Sequence, residues 1–155
     1  MQATATPEIG QTAPEFRLKG AGGQFVTLSE YRGHKNVVIV FYPLAFSPVC
    51  SHQLPSLELE TPRFSALDAV LLGISVDSHY ANTAFAERLR LTFPLLSDFR
   101  RETSSAYGVL LESGHSGRAV FVVDKQGKIA FKEVSPDPAQ IPDVSRVLSA
   151  LERLA

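Results

Sequence analysis

The 155-residue sequence is poor in cysteine, and Cys50 is its only one. A single thiol excludes an intrachain disulfide and a zinc site built from several cysteines. An excess of one charge is also missing, since 15 Lys and Arg side chains stand against 16 Asp and Glu side chains. A nucleic-acid-binding or anionic-membrane-binding surface is therefore not expected as the main function.

Long hydrophobic segments are absent from the sequence as well. The longest apolar runs, residues 37–42 and 69–74, are far shorter than the roughly 20 residues that a bilayer requires. Residues 1–10 have neither the basic segment nor the apolar stretch of a secretory signal. We therefore expect no membrane association and a location in a reducing cytoplasm. The four histidines show no common ligand spacing, so neither a metal nor another cofactor is expected.

The apolar content of 45% and the length indicate one soluble domain spanning residues 1–155. A chain of this size removes about 69% of its surface from water when it folds, which suffices for a core without disulfides. Seven segments rich in β-branched and apolar residues are predicted strands: residues 16–18, 24–28, 37–42, 69–76, 95–96, 119–123 and 128–134.

Two helices are predicted in the first two thirds of the chain. One begins at Pro48 and should be kinked, because Pro55 and Pro62 interrupt its apolar stripe. The other has Ser78 as its N-cap and ends before Phe93, which precedes a proline. The strand–helix–strand unit around the first helix predicts a parallel right-handed crossover.

A third helix closes the chain. Asp137 and Pro138 are predicted as its N-cap and first-turn proline. Four apolar residues should then share one face: Ile141, Val144, Leu148 and Leu151. The order of elements predicts an α/β protein of the thioredoxin-like class, with a central mixed sheet and helices on both faces.

The segment most informative about function is residues 43–50, between the end of a central strand and the start of a helix. Ser47 and Pro48 suit the N-cap and first helical position, which places Cys50 in the first turn among unsatisfied backbone N–H groups. A thiolate is favoured at such a position. The alternative is that Cys50 is an inert, buried small hydrophobic residue.

Two separated motifs resemble those of peroxiredoxins. Pro43, Ser47 and Cys50 match the signature Pro-x-x-x-Thr/Ser-x-x-Cys, and the segment around Arg118 resembles the later arginine segment of the family. Similarity extends from about residue 9 to residue 134. Residues 41–46 further resemble the one-cysteine alkyl hydroperoxide reductase E branch, near the bacterioferritin comigratory protein group.

The resemblance implies a role for each motif residue. Cys50 would be the nucleophile that attacks a hydroperoxide, and the Ser47 hydroxyl would bond the peroxide or the thiolate, unless it is only a helix cap. Pro43 would shield the thiolate from water, unless it merely ends the strand. Arg118 would pair with the thiolate, unless it is a solvated arginine at the strand edge. Gln53 departs from the Glu that is common among close relatives.

The resemblance also implies partners. With no second thiol, the sulfenic acid formed on Cys50 needs an external reductant, which is either a low-molecular-weight thiol with a glutaredoxin-like protein or thioredoxin itself. A homodimer is also implied. The competing function is a thioredoxin-fold binding or holdase-like protein whose thiol is inert.

Overall fold

The computed structural model describes residues 5–137 and 139–155. Its centre is a sheet of seven strands in the order β2-β1-β5-β4-β3-β6-β7. The strands are β1 (Arg17–Lys19), β2 (Phe25–Thr27), β3 (Asn36–Phe41), β4 (Ala69–Ser75), β5 (Leu95–Ser97), β6 (Ala119–Val123) and β7 (Ile129–Val134). The mixed sheet expected from the sequence is confirmed, because β3, β4 and β5 are parallel whereas β1, β2, β6 and β7 form antiparallel pairs.

The strand β3 lies inside the sheet and is buried along its whole length. Its alternate side chains enter two separate hydrophobic clusters: Val38 and Val40 face one, while Val37 and Ile39 face the other. A continuous run of β-branched residues suits a strand that is covered on both faces. This explains why the strand could be recognised from the sequence.

The helices are α1 (Pro48–Glu58), α2 (Thr61–Ala66), α3 (His79–Leu89), α4 (Glu102–Ala106) and α5 (Val144–Glu152). Buried side chains of α1, α2, α3 and α5 all join the cluster that contains Val38. The opposite cluster is closed by the segment around Phe16, by Leu28 and by Tyr107, which directly follows α4. The two faces of the sheet are thus covered unequally. Among the residues that the structure describes, no helix is long and apolar enough to cross a membrane.

Two details of the predicted helices are wrong. The kinked helix is two helices, because the chain leaves helical geometry between Glu58 and Thr61, while Pro55 remains inside α1. The closing helix begins at Val144 with Asp143 as its N-cap, and the Asp143 carboxylate accepts from Ser145 N at 2.9 Å. The expected first-turn proline, Pro138, lies outside the described residues.

The helix cannot begin earlier because of the residues before it. Pro142 would fall in the interior of a helix that started near residue 138, where proline removes a hydrogen bond and collides with the preceding turn. Ile141, which was expected on the buried face, is 43% exposed. The helix α4 was not predicted, and it begins where the buried Asp98 carboxylate accepts from Thr103 N and Ser104 N.

The register of the sheet brings distant segments to one edge. Phe41 at the end of β3 pairs with Ile74 of β4 on one side and with Ala119 of β6 on the other. Tyr42 and Arg118, the next residues outward, therefore lie at the same edge of the sheet. The connection that leads to Cys50 starts there.

A charge cluster at the opposite end of β3 gives a pH-dependent prediction. Hydrogen bonds from Lys125 and Lys35 lower the pKa of Asp68 to about 2. Because the folded-state pKa lies below the unfolded value of about 3.9, this contribution to stability is present above pH 4 and is lost as the pH falls towards 2. Asp68→Asn should therefore lower the urea midpoint at pH 7, and the difference from the wild type should shrink as the pH falls from about 4 towards 2.

Asn is the matched replacement because Asp68 has a left-handed φ of 60°, a conformation that Asn also tolerates. A difference in midpoint that stays constant from pH 7 to pH 3 would contradict this assignment.

Candidate active site

The start of α1 places Cys50 in the first helical turn, as the sequence predicts. Ser47 is the N-cap residue with extended backbone angles, and Pro48 occupies the first helical position. The Ser47 hydroxyl, however, does not cap the helix: it donates to Leu44 O at 2.9 Å. The hydroxyl oxygen keeps its lone pairs, and the first-turn N–H groups of Val49 and Cys50 are not taken up by this side chain.

Cys50 is completely buried and belongs to the same hydrophobic cluster as Leu54 of α1. Its thiol is therefore screened from bulk water on the side of the core. An apolar environment strengthens any electrostatic interaction made there, because water does not compete. The chemistry of this thiol depends on which polar groups reach it.

One such group is the guanidinium of Arg118, at the start of β6. Arg118 Nη2 donates to Cys50 Sγ at 3.3 Å, and Nη1 donates to Gln53 Oε1. Arg118 is only 1% exposed, so it is not the solvated strand-edge arginine that the sequence left open. The guanidinium is therefore a charged hydrogen-bond donor directed at the sulfur.

Gln53 is a site residue whose contact the sequence reasoning missed. It is 2% exposed and lies three positions after Cys50, so both side chains are on the same face of α1. That spacing was a usable signal, although it does not reveal that the partner is Arg118. Because Gln53 is neutral, it orients the guanidinium without cancelling its charge.

Pro43 is buried just after the end of β3. This position fits both interpretations from the sequence, a shield against water and a residue that ends the strand. The residue before it, Tyr42, is fixed through its main chain: Tyr42 N donates to Ile74 O at 3.1 Å, and Ser116 Oγ donates to Tyr42 O at 3.0 Å. Ser116 thus links the segment of Arg118 to the stem of the loop that carries Ser47. No sequence pattern indicated this contact, because it depends on the pairing of β3 with β6.

Phe46 lies in the loop before α1 and is packed on one side only. Its ring lies 4.8 Å from that of Phe85, yet half of the side chain is exposed. The structure brings Cys50 and Arg118 into contact and places Ser47 and Pro43 in the loop beside them.

Comparisons with known proteins identify the family of this chain. The family described as AhpC/TSA matches residues 9–132. Alkyl hydroperoxide reductase E of Mycobacterium tuberculosis is 42% identical over 149 residues, which cover 94% of this chain and 97% of the relative. The 2-cysteine peroxiredoxin of Chattonella marina is 36% identical, covering 82% of this chain and 70% of that protein.

Solved structures show the same fold. The reduced 2-Cys peroxiredoxin of Plasmodium vivax has a TM-score of 0.87 at 29% identity, covering 93% of this chain and 80% of that one. Peroxidoxin BcpB of Mycobacterium tuberculosis has a TM-score of 0.85 at 27% identity, covering 96% and 99%. These neighbours confirm the thioredoxin-like class expected from the sequence. The chain therefore belongs to the AhpC/TSA family and is a peroxiredoxin, a thiol-dependent peroxidase whose single cysteine fits a one-cysteine mechanism.

Proposed function

We propose that this peroxidase reduces hydrogen peroxide and organic hydroperoxides at Cys50, with Arg118, Ser47 and Pro43 as its other site residues. The observation that carries the proposal is the contact of 3.3 Å between Arg118 Nη2 and Cys50 Sγ inside a buried site. Such a pair favours a thiolate and supplies a hydrogen-bond donor to charge that develops beside it.

In the first half of the cycle, the thiolate of Cys50 attacks the terminal oxygen of the hydroperoxide. The S–O bond forms as the O–O bond breaks, and the leaving oxygen takes a proton and departs as an alcohol or as water. Cys50 is oxidised by two electrons to a sulfenic acid. Arg118 and the first-turn N–H groups of α1 are the donors for negative charge on the departing oxygen.

Ser47 acts as an acceptor in this scheme. Because its hydroxyl proton is already donated to Leu44 O, its oxygen is available for the proton of the incoming hydroperoxide. Pro43 has no N–H group and is buried at the strand end, so it excludes water without offering a competing donor to the thiolate.

In the second half, an external thiol attacks the sulfur of the sulfenic acid, water leaves, and a second thiol releases Cys50 from the mixed disulfide. We propose a low-molecular-weight thiol with a glutaredoxin-like protein, or thioredoxin, as the reductant, which places the protein in a reducing compartment such as the cytoplasm. Cys50 is completely buried, so this attack requires the first turn of α1 to open.

We also propose that the protein forms a homodimer. Three aromatic side chains that are at least half exposed support it: Phe46, Tyr80 and Phe99. Tyr80 and Phe99 line the same groove of about 910 Å³. Exposed aromatic surface of this kind is typical of an interface between protein chains.

The first experiment treats the reduced protein with one equivalent of hydrogen peroxide in the presence of a sulfenic-acid trap. Intact mass spectrometry should find one adduct per chain within seconds, located at Cys50. The Cys50→Ser variant is the control and should give none. An unmodified wild-type protein would favour the competing function, a binding protein with an inert thiol.

Replacement of Arg118 separates thiolate formation from transition-state stabilisation. Full ionisation of an ordinary thiol at pH 7 gains a factor of only about 30, because about 3% is ionised to begin with. Arg118→Ala should lower the rate constant of peroxide reduction by about 100-fold or more after correction for the measured thiolate fraction. Arg118→Lys keeps the cation but loses the paired donors, so its corrected rate constant should lie between those of the wild type and of Arg118→Ala.

Arg100→Ala is the matched control, since the side chain of Arg100 is 85% exposed, and it should leave the rate unchanged. If the loss in Arg118→Ala equals the loss of thiolate, Arg118 acts only on ionisation and its catalytic role is refuted.

The missing second thiol predicts the stoichiometry of the reaction. Without a reductant, peroxide consumption should stop at about one equivalent per chain, and addition of glutathione with glutaredoxin, or of thioredoxin with its reductase, should restore turnover. Peroxide consumption measures the oxidation of Cys50, and NADPH oxidation measures its reduction by the external thiol system. Many turnovers without any external thiol would contradict the one-cysteine cycle.

A further inference from the structure

The loop that joins β3 to α1, residues 43–47, holds an unfavourable backbone conformation. Phe46 has a φ of 67°, in the left-handed region that a side chain with a Cβ atom rarely adopts. Such a residue persists only where its surroundings fix it. Since the same loop determines where Ser47 and the first turn of α1 lie, whatever fixes it also sets the geometry at Cys50.

A single side chain from another part of the sheet holds the middle of this loop. Ala45 N donates to Asp77 Oδ2 at 2.8 Å. Asp77 lies two residues after the end of β4, so the bond connects the loop to a neighbouring strand 32 positions along the chain. A hydrogen bond from a backbone N–H to a carboxylate is stronger than a hydrogen bond between two neutral groups.

Asp77 is itself fixed from two strands. Ser75 Oγ, at the end of β4, donates to the same Oδ2 atom at 2.7 Å. Ser97 Oγ, at the end of β5, donates to the main-chain oxygen of Asp77 at 2.6 Å. The carboxylate that receives Ala45 N is therefore anchored to the edge of the sheet, and the loop is held by a rigid support.

The stem of the loop has a second attachment to the same region. Tyr42 OH donates to Asn82 Oδ1 at 2.5 Å, and Asn82 Nδ2 donates to Leu96 O at 3.2 Å. Burial raises the pKa of Tyr42 far above its usual range, so the phenol remains a hydrogen-bond donor at every working pH. With Tyr42 fixed on one side, the bond from Ala45 N to Asp77 fixes the middle of the loop relative to the sheet.

We propose that Asp77 is a positioning residue for peroxide reduction: its Oδ2 atom holds Ala45 N and so keeps Ser47 and the start of α1 in register with Arg118. The proposal rests on the function proposed above for Cys50. Asp77 acts through the main chain of the loop, and its role is that of an acceptor. An amide oxygen in the same place can accept from both Ala45 N and Ser75 Oγ, so Asn should replace Asp where Ala cannot.

The test compares Asp77→Ala and Asp77→Asn in two reactions of Cys50. The first is oxidation by hydrogen peroxide, which needs the positioned donors; the second is alkylation by iodoacetamide at a pH where the thiolate is fully formed, which does not. Asp77→Ala should lose about 10- to 100-fold in the oxidation rate constant, the cost of a displacement on the order of 1 Å. Its alkylation rate should not fall, and Asp77→Asn should stay within about threefold of the wild type in both reactions.

Ser78→Ala is the control for general destabilisation. It removes the N-cap of α3, where Ser78 Oγ accepts from Ala81 N at 3.2 Å, at the residue that directly follows Asp77. Its oxidation rate should equal that of the wild type. An unchanged rate in Asp77→Ala, equal losses in the Ala and Asn variants, or a parallel fall in alkylation would each overturn the positioning role.

Hydrogen exchange provides a measurement that does not depend on a folded Ala variant. The amide of Ala45 in the wild type should exchange at least tenfold more slowly than an unprotected loop amide, and free exchange would overturn the proposal. This measurement also separates the proposed peroxidase function from the proposed attachment of the loop by Asp77. If Ala45 is protected in a wild-type protein that does not react with peroxide, the proposed function is refuted, whereas the attachment of the loop is not.

Discussion

A guanidinium buried at the edge of the central sheet imposes the main constraint on this structure. Arg118 is 1% exposed, and an uncompensated buried charge costs about 3–5 kcal/mol. The helix α1 supplies compensation from one face, where Gln53 offers a neutral oxygen and Cys50 offers a sulfur that can ionise. Gln53 accepts from the guanidinium without neutralising it, and the sulfur of Cys50 lies on the other donor nitrogen. The contacts that orient the guanidinium in the buried site therefore also direct it at the sulfur.

This contact requires three segments that are far apart in the sequence. The parallel pairing of β3 with β4 and the antiparallel pairing of β3 with β6 bring their ends to one edge of the sheet. From there Ser116 holds the stem of the loop at Tyr42, and Asp77 holds its middle at Ala45. The polar groups that support the site therefore lie at strand ends, which are the most rigid positions available next to a loop.

The strands and the helix start that carries Cys50 could be predicted because their signals are local. The run that became β3 has the composition of a strand buried on both faces, and Ser47 with Pro48 marks a helix start. The start of α5 was missed although Pro142 excludes an earlier one, because Asp137 and Asp143 are equally good caps when each is considered alone. α4 has five residues and no apolar stripe; its N-terminus is held by Asp98, and such an anchor is visible only once the chain has folded.

The role of Ser47 shows the limit of a local signal most clearly. A serine before Pro48 suits an N-cap, and the backbone does follow that prediction, yet the hydroxyl turns to Leu44 O. A capping serine would occupy a first-turn N–H group with its own oxygen. By turning away, it leaves those N–H groups without a bond from this side chain, so they can act as donors in the proposed peroxide reduction. The helix α1 therefore lacks a side-chain N-cap bond at the end that carries Cys50. The hydrogen bonds to Tyr42 O and from Ala45 N hold the loop before this end in place instead.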